Sequence, residues 1–261
     1  MSENVTLMSS TRAEWIKFRT VRSTVMGFLV TIVLTIGLGA LITTAIRGHW
    51  NQMDPIRKLT FDPVSSSLGG ILFAQFAIGV IGTLFITSEY SSGSIRSTLA
   101  AVPRRPLLVS SKLLVLTLST LIVGELVCFA TFLMGQAIFS GVVPTVALSS
   151  GPVLRSVILA GLYLTLLAVL GFSLGLILRQ SAACISTFTS LLLVLPIITF
   201  LLPTSWQNTI TRYEPSALGR AMMSTSPPDQ MFGAWTATGI LLVYVVIVLA
   251  AGLTLMVRRD A

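Results

Sequence analysis

Apolar residues run unbroken along this chain for stretches of about 20 positions, the length an α-helix needs to cross the hydrocarbon core of a bilayer. Such runs cover Thr24 to Ile46, Leu68 to Thr87, Leu113 to Phe139, Ser156 to Leu178, Ala182 to Leu202 and Ala234 to Val257. They are continuous rather than alternating, which favours helices over a barrel, and a helix satisfies its backbone polar groups within each segment. The pattern predicts an all-α polytopic membrane protein with six transmembrane helices, forming one domain over residues 1–261. Composition agrees, with 54% hydrophobic and 10% charged residues, against about 25% charged in soluble domains.

The polar stretches predict smaller elements. Residues 1–10 read as frayed, and from Thr11 to Arg22 the residues Glu14, Trp15, Lys17, Phe18, Arg19 and Arg22 suit a short helix lying at the headgroup level. A charged flank that merely orients the first span fits equally. That span is too long for a signal-peptide core and lacks an A-x-A-like cleavage site, so it is expected to remain in the membrane. Between the second and third runs lies a basic, patterned segment from Glu89 to Lys112. Within it Ser94 to Val102 reads either as an ordinary loop or as a helix parallel to the membrane, its apolar ridge of Ile95, Leu99 and Val102 turned to the cytoplasm beside Arg96. Of the remaining connections, Arg47 to Ser67 reads as a polar loop and the uncharged Ser140 to Pro152 as a segment tucked against helix ends. A short helix is expected to start near Pro215, and Ser226 to Asp229 to form an extended turn. Pro196 should kink the fifth span, and Gly79, Gly82, Gly171 and Gly175 permit close helix contact, the last two at a GxxxG spacing.

Charge sets the expected orientation. With both termini inside, the cytoplasmic segments hold Arg12, Lys17, Arg19, Arg22, Arg96, Arg104, Arg105, Lys112, Arg179, Arg258 and Arg259, while the outer segments hold Arg47, Arg57, Lys58, Arg155, Arg212 and Arg220. The positive-inside rule selects cytoplasmic termini in a cell membrane. The net charge of +8 is then explained by topology and anionic lipid, with no nucleic-acid partner.

Candidate chemistry is sparse. Glu125 is the one ionisable residue deep in a predicted span, and it either bonds across helices or meets substrate. Cys128 and Cys184 read as small buried apolar groups, and the single histidine, His49, has no companion ligands for a metal. No G-x-x-x-x-G-K-[ST] occurs, so ATP, if used, is bound by another polypeptide.

The order Glu89-x-x-x-Gly93-Ser94-Ile95-Arg96-x-x-Leu99-x-x-x-Pro103-Arg104-Arg105, followed by Lys112, resembles the type-2 (ABC-2) class of ABC exporter permeases. The opening Ala13 to Thr24 is similar to that of many actinobacterial members, and Glu214-Pro215-Ser216-Ala217-Leu218-Gly219 to a segment they carry before the last span. The resemblance implies a permease that binds no cofactor itself and pairs with a second copy, identical or different, and with two ATP-binding subunits that use ATP and Mg. It assigns Gly93 to Val102 to a coupling helix, Arg12 to Ser23 to an interfacial elbow, and the stretch with Pro215, Leu218 and Gly219 to a re-entrant outer gate. On this reading Glu89 braces the coupling helix through Lys17 or Arg19, and Arg96, Arg104 and Arg105 face the ATPase or lipid phosphates. An apolar path for an amphipathic small molecule, peptide or lipid would pass Phe73, Gln75, Phe76 and Phe188, unless these only pack. An ion-coupled secondary transporter, a membrane-embedded enzyme and a non-transporting immunity or sensor subunit remain as alternatives.

Overall fold

The computed structural model describes residues 6–102, 104–226 and 230–258. The described elements are helices, in order α1 (Leu7–Thr20), α2 (Arg22–His49), α3 (Pro55–Leu59), α4 (Pro63–Ser67), α5 (Ile71–Ser91), α6 (Ser94–Ala101), α7 (Arg105–Phe139), α8 (Gly151–Leu178), α9 (Ser181–Thr189), α10 (Leu195–Phe200), α11 (Thr204–Ile210), α12 (Pro215–Met223) and α13 (Ala234–Arg258). Six helical stretches are long and apolar enough to span a membrane: α2, α5, α7, α8, α9 continued through α10, and α13. The protein is an all-α polytopic membrane protein.

Helix ends differ from the sequence expectation where capping, rather than hydropathy, sets them. The first helix starts at Leu7, inside the stretch expected to fray, because Thr6 and Ser9 form a reciprocal capping box. The third span begins at Arg105, not Leu113, with Pro106 in its first turn. Its 35 residues extend about 52 Å, well beyond a core of about 30 Å, so Arg105 and Lys112 ride on helix near one membrane surface rather than in a loop. The segment expected as a polar loop before the second span contains α3 and α4, each with an Asp N-cap (Asp54, Asp62) followed by Pro. The helix at Thr204–Ile210 was not foreseen. Pro196 lies just after a π-helical turn at Ser190–Val194, where Leu195 N–H donates to the Ser190 carbonyl.

The fourth span, α8, forms the axis of the bundle. It is largely buried, and α5, α7, α9, α12 and α13 pack around it. Glycine makes the tightest of these contacts: a Cβ at Gly82 would overlap the Ala168 carbonyl, and one at Gly171 the Gly79 carbonyl. The hydroxyl of Thr83 donates to the Gly171 carbonyl at 3.3 Å. The small residues of the second and fourth spans thus serve contact within the chain, including the GxxxG pair. Along the outside, α2 packs on α5 and α7, and α1 on the start of α7.

The connections after the first, third and fifth spans close one end. Val143 packs with Trp50 and Phe139, and Val146 N–H donates to Gln136 Oε1 at 2.9 Å. The helix expected near Pro215 is α12, and every residue of it except Arg220 is buried. Gly219 sits against the Tyr163 ring, and Tyr163 lies near the middle of α8, so α12 reaches toward mid-depth of the bundle. The predicted turn at Ser226 to Asp229 lies largely outside the described residues.

Candidate functional site

Four helices converge on one buried ionic cluster at the end of the bundle that carries α1 and α6. On α1, Glu14 and Phe18 stand one turn apart and share the inward face, both buried. Glu89 occupies the last turn of α5, and Lys112 the second turn of α7. The Lys112 ammonium is 1% exposed and lies 2.7 Å from Glu14 Oε2 and 2.7 Å from Glu89 Oε1. Lys17 closes the ring from the open side, 3.3 Å from Glu14 and 3.2 Å from Glu89, and also donates to the Thr98 hydroxyl of α6 at 3.3 Å.

The charges balance, two cations against two carboxylates. Removing an ammonium and two carboxylates from water costs several kcal/mol per ion, offset only where each is paired and hydrogen-bonded. Here Lys112 also lies 5.1 Å from the centre of the Phe85 ring, which packs edge-on against Phe18. Lys17 is only half-buried: burial alone would lower its pKa, but Glu14 and Glu89 outweigh that and hold it above its ordinary 10.5. The second oxygen of Glu89, Oε2, is buried without a hydrogen-bond partner. A cavity of about 410 Å³ lies beside the cluster, edged by Ser88, Ser94, Ser97 and Thr98.

The helix that this cluster touches, α6, is held by its apolar side. Gly93 takes a left-handed conformation (φ 72°) that lets the chain turn from α5 into α6. Ile95 is buried, and Leu99 and Val102 pack against the core. The ridge expected to face the cytoplasm therefore faces inward as an anchor, and the exposed side carries Arg96 and Ser97. Arg104 is exposed, and Pro103 lies outside the described residues. The Arg105 guanidinium donates to the Met256 carbonyl at 2.8 Å, and so ties the start of α7 to the end of α13.

Other sequence candidates fall elsewhere. Arg19 and Arg22 are exposed, and Trp15, also exposed, stacks on Phe18. Glu125 packs against Gly161, and its buried Oε2 makes no hydrogen bond across helices. Gln75 is buried and accepts from the Tyr163 hydroxyl at 2.6 Å, and Phe188 is buried against Gly79. In this arrangement neither borders an open path, whereas Phe73 is half-exposed. Pro215, Leu218 and Gly219 are buried between α8 and α13. Sequence reasoning passed over Lys112 as a site residue. Its signal was a basic residue followed without a break by apolar ones, a position that needs an acid partner if buried. Among the described residues no group of three or more His, Cys, Asp or Glu could hold a metal ion.

The arrangement holds an interfacial helix, two spans and a short surface helix at one charge-balanced point, so that displacing one strains the others. No curated protein matches the chain. A family model described as "ABC-2 family transporter protein" matches residues 11–196, a stretch that contains α6 and every residue of the ionic cluster. The chain belongs to the ABC-2 family of transporter proteins.

Proposed function

We propose that this chain is the permease subunit of an ATP-driven exporter in the cell membrane, with both termini cytoplasmic. It works with two ATP-binding subunits, which use ATP and Mg, and with a second permease chain, and it moves an amphipathic small molecule, peptide or lipid outward. The observation that carries this reading is the link from α6 through Thr98 and Lys17 to the buried Glu14–Lys112–Glu89 cluster.

In this mechanism each ATP-binding subunit bears on the exposed side of α6, at Arg96 and Ser97. Ile95 and Lys17 pass that displacement inward, because α6 cannot shift without disturbing α1 or the ends of α5 and α7. The second and third spans then tilt about the glycine contacts with α8, and access alternates between the two faces. Such coupling requires that the ATP-binding subunits dock differently in the two states.

The test is co-expression with any candidate ATP-binding subunits encoded beside the chain, followed by co-purification and measurement of ATP hydrolysis. Arg96→Glu combined with Ser97→Glu alters the exposed docking side and leaves the anchoring Ile95 in place. Association lost in this variant supports the proposal. A chain that associates with no ATP-binding subunit, yet transports on a proton gradient alone, would sink it in favour of an ion-coupled carrier.

A further inference from the structure

A third buried acid lies outside the ionic cluster, beside α12. Glu214 precedes α12 and is 2% exposed. The Thr199 hydroxyl donates to its Oε1, but its Oε2 is buried with no hydrogen-bond partner. Among the described residues no basic side chain forms an ion pair with it. Arg212, two residues earlier, is directed at the Tyr213 and Phe232 rings, 5.2 Å from each centre. A lone carboxylate in such a place is costly. The N-terminus of α12 offsets part of that cost, since its dipole favours an anion there.

Glu214 borders a cavity of about 410 Å³ whose other walls are apolar, among them Leu170, Leu191, Leu195, Ile247 and Val248. The Tyr244 ring forms one side, and its hydroxyl is engaged with the Tyr213 carbonyl at 3.3 Å. Along α13, Ile247 lies about 20 Å from Ala234 and about 16 Å from Arg258, so the cavity sits near mid-depth of the membrane. Ile247 is exposed on the outside of the bundle, which opens the cavity toward lipid. Its size is that of a small-ligand pocket, with an apolar lining and one polar group to fix orientation.

From these observations we infer that the cavity between α8, α9–α10, α12 and α13 binds an amphipathic ammonium compound, whose N–H⁺ donates to the Glu214 carboxylate once the side chain turns Oε2, closed off in the empty cavity, toward it, while the hydrocarbon body fills the apolar lining. A protonated amine supplies both what Oε2 lacks, a donor and a counter-charge, and a charge-assisted hydrogen bond of this kind is the strong sort. A quaternary ammonium supplies only the charge, and an alcohol only the donor. The inference rests on the permease reading solely in making the bound amine the cargo.

The test measures dodecylamine binding by calorimetry to the purified full chain in phosphatidylcholine nanodiscs, with no ATP-binding subunit present. Dodecanol and dodecyltrimethylammonium serve as controls. Saturable amine binding, weakened about ten- to a hundredfold by Glu214→Gln, supports the inference. Val248→Trp fills the cavity and leaves the carboxylate in place, so it should abolish binding even if Glu214→Gln fails to fold. Displacement of dodecylamine by added phosphatidylethanolamine would assign the ligand to lipid, and no displacement to a free amine. Equal uptake of all three probes, or amine binding unchanged by Val248→Trp, would overturn the inference. Loss of ATPase association with amine binding intact would count against the permease reading alone.

Discussion

Replacing Lys112 with Met removes the centre of the ionic cluster while nearly conserving side-chain length. Each Nζ–O contact is 2.7 Å, which at an effective dielectric constant near 20 is a gross attraction of about 6 kcal/mol. Desolvation of the three ions offsets most of that, so the pair adds little net stability compared with apolar groups of the same shape. Truncation differs, because Glu14 and Glu89 are left facing each other, and breaking a buried pair in this way costs about 3–5 kcal/mol. Lys17 cannot replace the lost charge: its side chain is 44% exposed, and a screened pair of that kind contributes about 1 kcal/mol or less. The assay is unfolding of the purified protein in mixed micelles with rising sodium dodecyl sulfate, followed by tryptophan fluorescence. A triple variant, Lys112→Met with Glu14→Gln and Glu89→Gln, removes the buried charge altogether and should recover most of the loss. A single variant within about 0.5 kcal/mol of the parent, or a triple variant less stable than the single one, would refute the reasoning.

Three further outcomes are expected. Gly82→Val should abolish accumulation of folded protein on fluorescence-detected gel filtration, because its side chain would run into the Ala168 backbone, whereas Gly239→Ala, with open space around it, should behave as the parent or be slightly more stable. Gly93→Ala should lower stability by about 1–2 kcal/mol through its left-handed backbone, with Gly93→Asn milder in the same denaturant titration. Lys17 has its pKa raised above 10.5 in the folded chain, so its contribution is complete below that pH and is lost as pH rises through the raised value; the alkaline fall in stability should be smaller in Lys17→Met than in the parent.

The spans were legible because continuous hydrocarbon in helical lengths has few other uses, and α12 because Pro215 begins a run of good helix formers. Burial was not legible from hydropathy. The most apolar span, α13, is mainly exposed, while the less apolar α8 is the most enclosed. In a bilayer the outward face is as oily as the inward one, so the informative residues are the small ones, such as Gly82 and Gly171, that let backbones meet. The start of α7 was misplaced for a related reason: Arg105 and Lys112 break the apolar run without breaking the helix. The same two residues carried the missed contacts, Lys112 with two acids and Arg105 with the end of α13. Glu14 and Met256 are far away in sequence, and only the packing of α1 and α13 beside α7 brings them in, whereas Glu89 comes from the end of the preceding span, α5. Ile95 was assigned to the wrong side of α6 because periodicity shows that a helix has an apolar face but not which neighbour receives it.

The π-helical turn at Ser190–Val194 amounts to a one-residue insertion in the fifth span. Because Pro196 lacks an N–H and crowds the preceding turn, a locally widened coil accommodates it without breaking the helix. Everything beyond the insertion is turned about 100° relative to an uninterrupted α-helix. Thr199 lies beyond it, and that rotation aims its hydroxyl at Glu214. Winding the same residues as an uninterrupted α-helix would swing Thr199 away by that angle and strip the carboxylate of its one donor, whereas deleting Leu193 would remove the inserted residue and leave Thr199 facing Glu214. The register of a single helical turn therefore determines whether the membrane-buried acid is held in place.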